Sequence, residues 1–195
     1  TIPGRKGTIT IHTGTYSDTT ILCQLHLESN PELIEQMYLE TKIWLESTKR
    51  LSFSDNPSVF YKVKKVTVGK QSKFYGRFGT FDVTFVCDPG EYAVDGLMEY
   101  QLDEVTFNPY SECCPIYKIS GNGSCVLKVN GQQIKADVTK ELTIDTELEI
   151  AYSDKGKKNT AVSGDYENIH LMSGDNAISI TKGFDLKIIP NWRIL

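Results

Sequence analysis

Asn130-Gly131 stands between two runs that alternate apolar and polar residues: Cys125, Leu127 and Val129 before it, Ile134, Ala136 and Val138 after it. A pair of residues that tolerates positive φ, flanked by period-two runs, specifies a tight antiparallel hairpin. The same period recurs along most of the chain. Residues 7–13 alternate, and Thr19 to Glu28 follows with Ile21, Cys23, Leu25 and Leu27 on one face. Phe81, Val83, Phe85 and Cys87 alternate in turn. Leu142 and Ile144 read as a short strand, and Leu148, Ile150 and Tyr152 as another. Ile178 and Ile180 turn at Lys182-Gly183 into Phe184, Leu186 and Ile188. The chain thus reads as mainly β, and in its second half short strands with frequent turns and no helical period predict an antiparallel sandwich.

Two stretches need closer reading. Val59, Tyr61 and Val63 share one parity while Val66 and Val68 take the other, so a bulge at Lys64-Lys65 is expected to restore a single apolar face. Gly69 to Gly79 then reads as the tip of a long hairpin, and Ser153 to Asp175 as a polar, exposed loop.

One helix interrupts the strands. Asn30 suits an N-cap, Pro31 the first helical position, and Glu32 and Glu35 the positive helix end. Leu33, Ile34, Met37, Tyr38, Thr41, Trp44 and Leu45 recur at helical spacing, which predicts a helix packed on a sheet. Asp88-Pro89-Gly90 closes the last strand of this half. The domain boundary is therefore expected between Asp88 and Gly96, giving domains 1–92 and 93–195.

A net charge of -4 over 195 residues lacks the cationic surplus that general nucleic-acid binding needs. No run approaches the roughly 20 apolar residues of a membrane helix, and Thr1 followed by Pro3, Gly4, Arg5 and Lys6 does not read as a signal peptide. The cysteines Cys23, Cys87, Cys113, Cys114 and Cys125 show no zinc-ligand spacing and read as reduced thiols of a protein made in a reducing cytoplasm.

Motifs for catalysis are missing. His12, His26 and His170 have no nucleophile in a recognised arrangement, and Ser120-Gly121-Asn122-Gly123-Ser124 has neither the spacing of a nucleophile elbow nor the lysine of a phosphate loop. Asp137, Glu141, Asp145, Glu147 and Glu149 interleave with apolar residues, as the wet face of a sheet does, so no metal and no cofactor is expected. One charge asymmetry remains. Lys62, Lys64, Lys65, Lys70, Lys73 and Arg77 occur with no acid between Asp55 and Asp82, and Phe74, Tyr75 and Phe78 lie at the same hairpin tip. Such a hairpin is either a solvated projection or a contact with an acidic neighbouring subunit.

The order of motifs resembles the distal tail (Dit) proteins of long-tailed, non-contractile phages. The first domain of that family carries a Pro-Gly-Arg-x-Gly element, matched by Pro3 to Gly7. A helix ending in Trp-Leu follows (Trp44-Leu45), then a Leu-x-Phe-Ser-Asp-x-Pro stretch (Leu51 to Pro57) and a strand ending Phe-x-Cys-x-Pro (Phe85 to Pro89). The second domain of the family is galectin-like. Its pattern is matched by Pro115 to Gly123, Asn130-Gly131, Ile144-Asp145, Leu171 to Asn176 and the closing Pro190-Asn191-Trp192-Arg193. Here the Pro-Gly-Arg-x-Gly element opens at the third residue, where the family carries another strand or two before it, so the first sheet is expected to lack its first strands.

This resemblance implies a tail-tube-like N-terminal sandwich flanked by one helix, followed by a galectin-like sandwich. It implies a virion structural protein without enzymatic activity, forming a hexameric ring at the tail tip after synthesis in the host bacterial cytoplasm. Its partners would be the tail tube protein, the tail-associated hub protein and receptor-binding or other adsorption proteins, without specific nucleic-acid binding or membrane insertion. A different class of function, a carbohydrate-binding module, would place its aromatic platform among Tyr110, Tyr117, Tyr152, Tyr166 and Trp192.

Overall fold

The computed structural model describes residues 16–195. The strand expected at 7–13, the Pro3–Gly7 element and His12 lie outside them. The chain is mainly β and antiparallel, with one α-helix among the described residues. The described residues divide into two compact units, one holding residues 16–47 and Val63–Pro89, the other Thr48–Lys62 and Gly90–Leu195.

The first half of the chain supplies β1 (Thr19–Glu28), α1 (Ile34–Glu46), β2 (Arg50–Phe53), β3 (Asn56–Val68), β4 (Ser72–Phe74) and β5 (Phe78–Cys87). In the first unit β5 is central. It pairs with β1 in unbroken register from Thr19 opposite Cys87 to Glu28 opposite Phe78, and with the second half of β3 on its other side. The expected bulge is present: Val63 faces Cys87, whereas Lys65 faces Val86, so one residue is inserted at Lys64. Phe81, Val83, Phe85 and Cys87 are all buried and form the spine of this unit's core.

Helix α1 covers that core with a narrow stripe. Ile34 and Leu45 are buried, Tyr38 packs edge-on against Phe81 at 5.2 Å between ring centroids, and the Tyr38 hydroxyl donates to the Gly69 carbonyl at 2.8 Å. The regular helix starts at Ile34 rather than beside Asn30. Residues 31–33 form turns, and the Asn30 carbonyl accepts from the amides of Leu33 and Ile34 at 2.9 and 3.1 Å. Trp44 does not join the packed face: it is 68% exposed.

The second half adds β6 (Glu91–Ala93), β7 (Tyr100–Gln101), β8 (Phe107–Asn108), β9 (Ile116–Val129), β10 (Gln132–Asp145), β11 (Ile150–Ser153), β12 (Gly156–Lys157), β13 (Val162–Ser163), β14 (Gly174–Asp175), β15 (Ile178–Ile180), β16 (Asp185–Ile189) and β17 (Arg193–Ile194). The first half of β3 belongs to this second unit, where Val59 and Phe60 pair with β6 and the Phe60 ring stacks on Tyr92 at 5.7 Å. The backbone of the unit is the long β9–β10 hairpin. Asn130 (φ 52) and Gly131 (φ 84) turn it, and the register runs from Val129 opposite Gln132 to Ile116 opposite Asp145. Leu142 and Ile144 thus continue β10 instead of making a separate strand.

On the open side of β9, β16 pairs with residues 116–120 and β15 with residues 127–129. Between them the strand carries Gly121, where an added Cβ would meet the Phe184 ring at 2.3 Å. Tyr117, Ile119, Leu127, Ile134, Ile144 and Ile188 form the centre of the core. Two further core residues come from the segment expected to be an exposed loop. Ile169 and Leu171 are fully buried, because the Tyr117 hydroxyl donates to the Ile169 carbonyl at 2.7 Å and Leu171 makes a two-way backbone bridge with Cys113. Leu148, expected in a strand, is 64% exposed on a turn.

Candidate functional site

The hairpin tip of the first unit is held by a tight loop. Phe74 and Phe78 are register partners, Tyr75 and Gly76 both take positive φ (51° and 70°), and the Arg77 amide donates to the Phe74 carbonyl at 3.3 Å. Positive φ at both central residues is the primed turn that matches strand twist. A tyrosine in that conformation costs about 1 kcal/mol or more, yet its ring gains nothing from this chain: Tyr75 is 95% exposed. Phe74 and Phe78 are also exposed, which gives the tip an aromatic surface.

The six cations of this region are not one cluster. Lys62 lies in the second unit, ion-paired with Glu147 at 2.5 Å, its ammonium 4.2 Å from the centre of the Tyr92 ring. Lys64 sits between Asp18 at 2.7 Å and Asp88 at 2.9 Å, and these two carboxylates, Asp18 first, raise its affinity for a proton. Lys73 pairs with Glu35 of α1, beside which the Ser29 amide donates to the Arg77 carbonyl at 3.0 Å. These contacts fasten the tip of the hairpin to the start of the helix. Lys65, Lys70 and Arg77 remain as exposed cations, of which Arg77 lies in the turn with Tyr75 while Lys65, opposite Val86, lies far from the tip.

The outer surface of α1 was not anticipated from the sequence. Leu33, Met37, Leu39, Ile43 and Trp44 are all exposed, the last two by more than two thirds. A 13-residue helix that buries only Ile34 and Leu45 completely yet carries this much outward apolar surface is unusual for an isolated monomer. The signal was available: the helix has more apolar residues than one packed stripe can hold.

In the second unit the five aromatic residues considered for a sugar platform are drawn inward. Tyr117 and Trp192 are buried, Tyr110 packs against Trp192 at 6.4 Å, and Tyr152 and Tyr166 are half-buried. A shallow cleft of about 300 Å³ is lined by Asp137, Glu141, Ser153, Asp154, Lys155 and Lys158, with no aromatic ring in its wall. Of the acidic set, Asp137, Glu141, Glu147 and Glu149 are exposed as expected. Asp145 is not: it is buried, and its Oδ1 accepts from the amides of Glu147 and Leu148 at 3.1 and 3.0 Å, shaping the turn. Among the described residues no group of three or more His, Cys, Asp or Glu is placed to hold a metal ion.

All five cysteines are free thiols. Burial pushes the proton affinity of Cys87, Cys113 and Cys125 upward, which keeps them protonated and inert. His26 is exposed on β1, and His170 is half-buried with its Nδ1 2.9 Å from Glu112.

No family model matches the sequence, and no curated protein matches it. Its fold does match a solved structure. The crystal structure of the SPP1 Dit (gp 19.1) protein, described as a paradigm of the hub adsorption apparatus in phages infecting Gram-positive bacteria, superimposes with a TM-score of 0.61. The match covers 96% of this chain and 84% of that one at 15% sequence identity. The two chains therefore share a fold along nearly their whole length.

Proposed function

We propose that this chain is a non-enzymatic phage tail-hub subunit of the distal tail type. Its copies would close into a hexameric ring at the tail tip, joining the tail tube to the tail-associated hub protein and to receptor-binding or other adsorption proteins. The observation that carries this reading is the fold shared with the SPP1 Dit protein over 96% of the chain. In the same reading, residues 1–92 form the ring-building domain and residues 93–195 a galectin-like domain turned outward.

The surfaces of the first unit support an assembling role. An aromatic hairpin tip with the exposed Arg77 in its turn, and a helix with an apolar outer face, are features that a closed ring of identical subunits would cover. A sugar-binding role has weaker support, since the candidate platform residues of the second unit are spent on packing.

Solution mass by light scattering, with negative-stain microscopy of the same sample, tests the proposal. A mass of six subunits and ring-shaped particles is the expected result. A monomer at every concentration, together with binding in a glycan screen, would overturn it in favour of a carbohydrate-binding module.

A further inference from the structure

Cys113 and Leu171 form an isolated antiparallel bridge, with each amide donating to the other's carbonyl at 3.0 and 3.1 Å. This register has a consequence for their neighbours. The flanking positions 114 and 170 become a directly opposed pair without hydrogen bonds, the closer of the two kinds of cross-strand pair. Cys113 and Leu171 face inward and are buried, so Cys114, His170 and Glu112 share the outer face. Cys114 and His170 are both half-buried, whereas Glu112 is exposed.

The three side chains are arranged in series. Glu112 Oε1 lies 2.9 Å from His170 Nδ1, which fixes the ring and directs its other nitrogen away. That Nε2 is shielded from solvent and has no hydrogen-bond partner among the described residues. Cys114 is nonetheless the largest influence raising the proton affinity of the imidazole, ahead of burial, which opposes it, and of Glu112. The Cys114 backbone is fixed too, its carbonyl accepting from Asn191 Nδ2 at 2.9 Å. A thiol, a base beside it and a carboxylate orienting that base are the parts of an activated sulfur nucleophile.

We infer that Cys114 is a reactive thiol whose proton passes to His170, held in place by Glu112, and that its co-reactant is a small-molecule disulfide. The sulfur of Cys114 attacks one sulfur of that disulfide. A new S–S bond forms as the old one breaks, and the departing thiolate takes up the proton that His170 accepted. Cys114 is oxidised and half of the small disulfide is reduced, so no further oxidant is required. Cys113 cannot resolve the product, because it is buried on the opposite face; the mixed disulfide therefore persists until an external thiol removes it.

The test is the rate at which each cysteine of the folded protein reacts with 5,5′-dithiobis(2-nitrobenzoate), an aromatic disulfide, located by digestion and mass spectrometry. Cys23, half-buried on β1, is the internal reference. Near neutral pH, Cys114 should react about tenfold or more faster than Cys23, and His170→Gln should remove most of that advantage. Glu112→Gln, at an exposed position, should reduce it partly while leaving the fold intact. The ratio of the Cys114 rate to the Cys23 rate should rise as the pH is lowered. Parallel pH profiles for the two thiols, or a Cys114 rate no higher than that of Cys23, would overturn the inference. The wild-type pH profile decides the matter even if His170→Gln fails to fold.

Discussion

Asn130 Nδ2 donates to Asn176 Oδ1 at 2.8 Å, tying the β9–β10 turn to a loop 46 residues further along the chain. Asn176 is buried and fully used: its Oδ1 also accepts from the Met172 amide, and its Nδ2 donates to the carbonyls of Met172 and Gly174 at 2.8 and 2.9 Å. In return the Ala177 amide donates to Asn130 Oδ1 at 2.9 Å. Removing the Asn176 amide takes the partner from the Met172 amide, the Met172 and Gly174 carbonyls and the Asn130 side chain, all in part-buried bonds. Asn176→Ala should therefore destabilise the protein by about 2–3 kcal/mol in urea unfolding. A loss below about 0.5 kcal/mol would mean that water replaces the side chain at no cost.

Gly121 and Phe184 make a second prediction. An alanine Cβ at 121 would sit 2.3 Å from the Phe184 ring, well inside contact distance. Gly121→Ala should cost about 1–3 kcal/mol by overpacking. Its cost should fall in the background of Phe184→Ala, since the ring is then gone. Additive costs in that double-mutant cycle would show that the strain arises elsewhere.

What was legible in the sequence was what local chemistry decides. Asn130-Gly131 turns where it was expected to because only the two residues at the turn need positive φ, and both tolerate it. The parity break between Val63 and Val66 could mean only an inserted residue, and Lys64 is that residue. Trp44 was misread because helical spacing names a stripe but not which of two stripes meets the sheet; Ile34, Tyr38 and Leu45 took the inner one. Ile169 and Leu171 sit in a polar segment whose burial depends on distant Tyr117 and Cys113. The pairing of Glu112 with His170, 58 residues apart, needed the register of that same bridge.

His170 makes stability depend on pH. Its proton affinity is raised to about 9, by Cys114 first and by Glu112, with burial opposing them. A group whose folded value lies above its unfolded value of about 6.5 stabilises the protein fully below the latter and progressively less as pH rises toward 9. Stability should thus decline between about pH 6.5 and 9, by an amount on the order of 2 kcal/mol once screening at the half-exposed Glu112 is allowed for. Thermal melts across this range should show the decline in the wild type and a flatter profile in His170→Gln. Identical profiles would remove His170 as the cause.

The hairpin cations separate folding from assembly. Lys64 spans two carboxylates but is half-exposed, so Lys64→Ala should change monomer stability by less than about 1 kcal/mol. Lys65, Lys70 and Arg77 are exposed cations of the same hairpin, Arg77 in the turn with exposed Phe74 and Tyr75. Reversing all three to Glu should leave the melting temperature nearly unchanged, because no buried contact is lost. If the tip meets an acidic surface on a neighbouring subunit, the same change should lower the mass seen by light scattering. Raising ionic strength to about 1 M, where screening shortens to about 3 Å, should reproduce part of that loss in the wild type. Tyr75→Ser adds a discriminating case: it relieves the positive-φ position of a bulky ring, so it should not destabilise the monomer, yet it should weaken association if the ring is an anchor. An undiminished assembly in both the triple reversal and Tyr75→Ser would move the contact away from the hairpin, leaving the outer face of α1, with Ile43 and Trp44, as the surface to alter next.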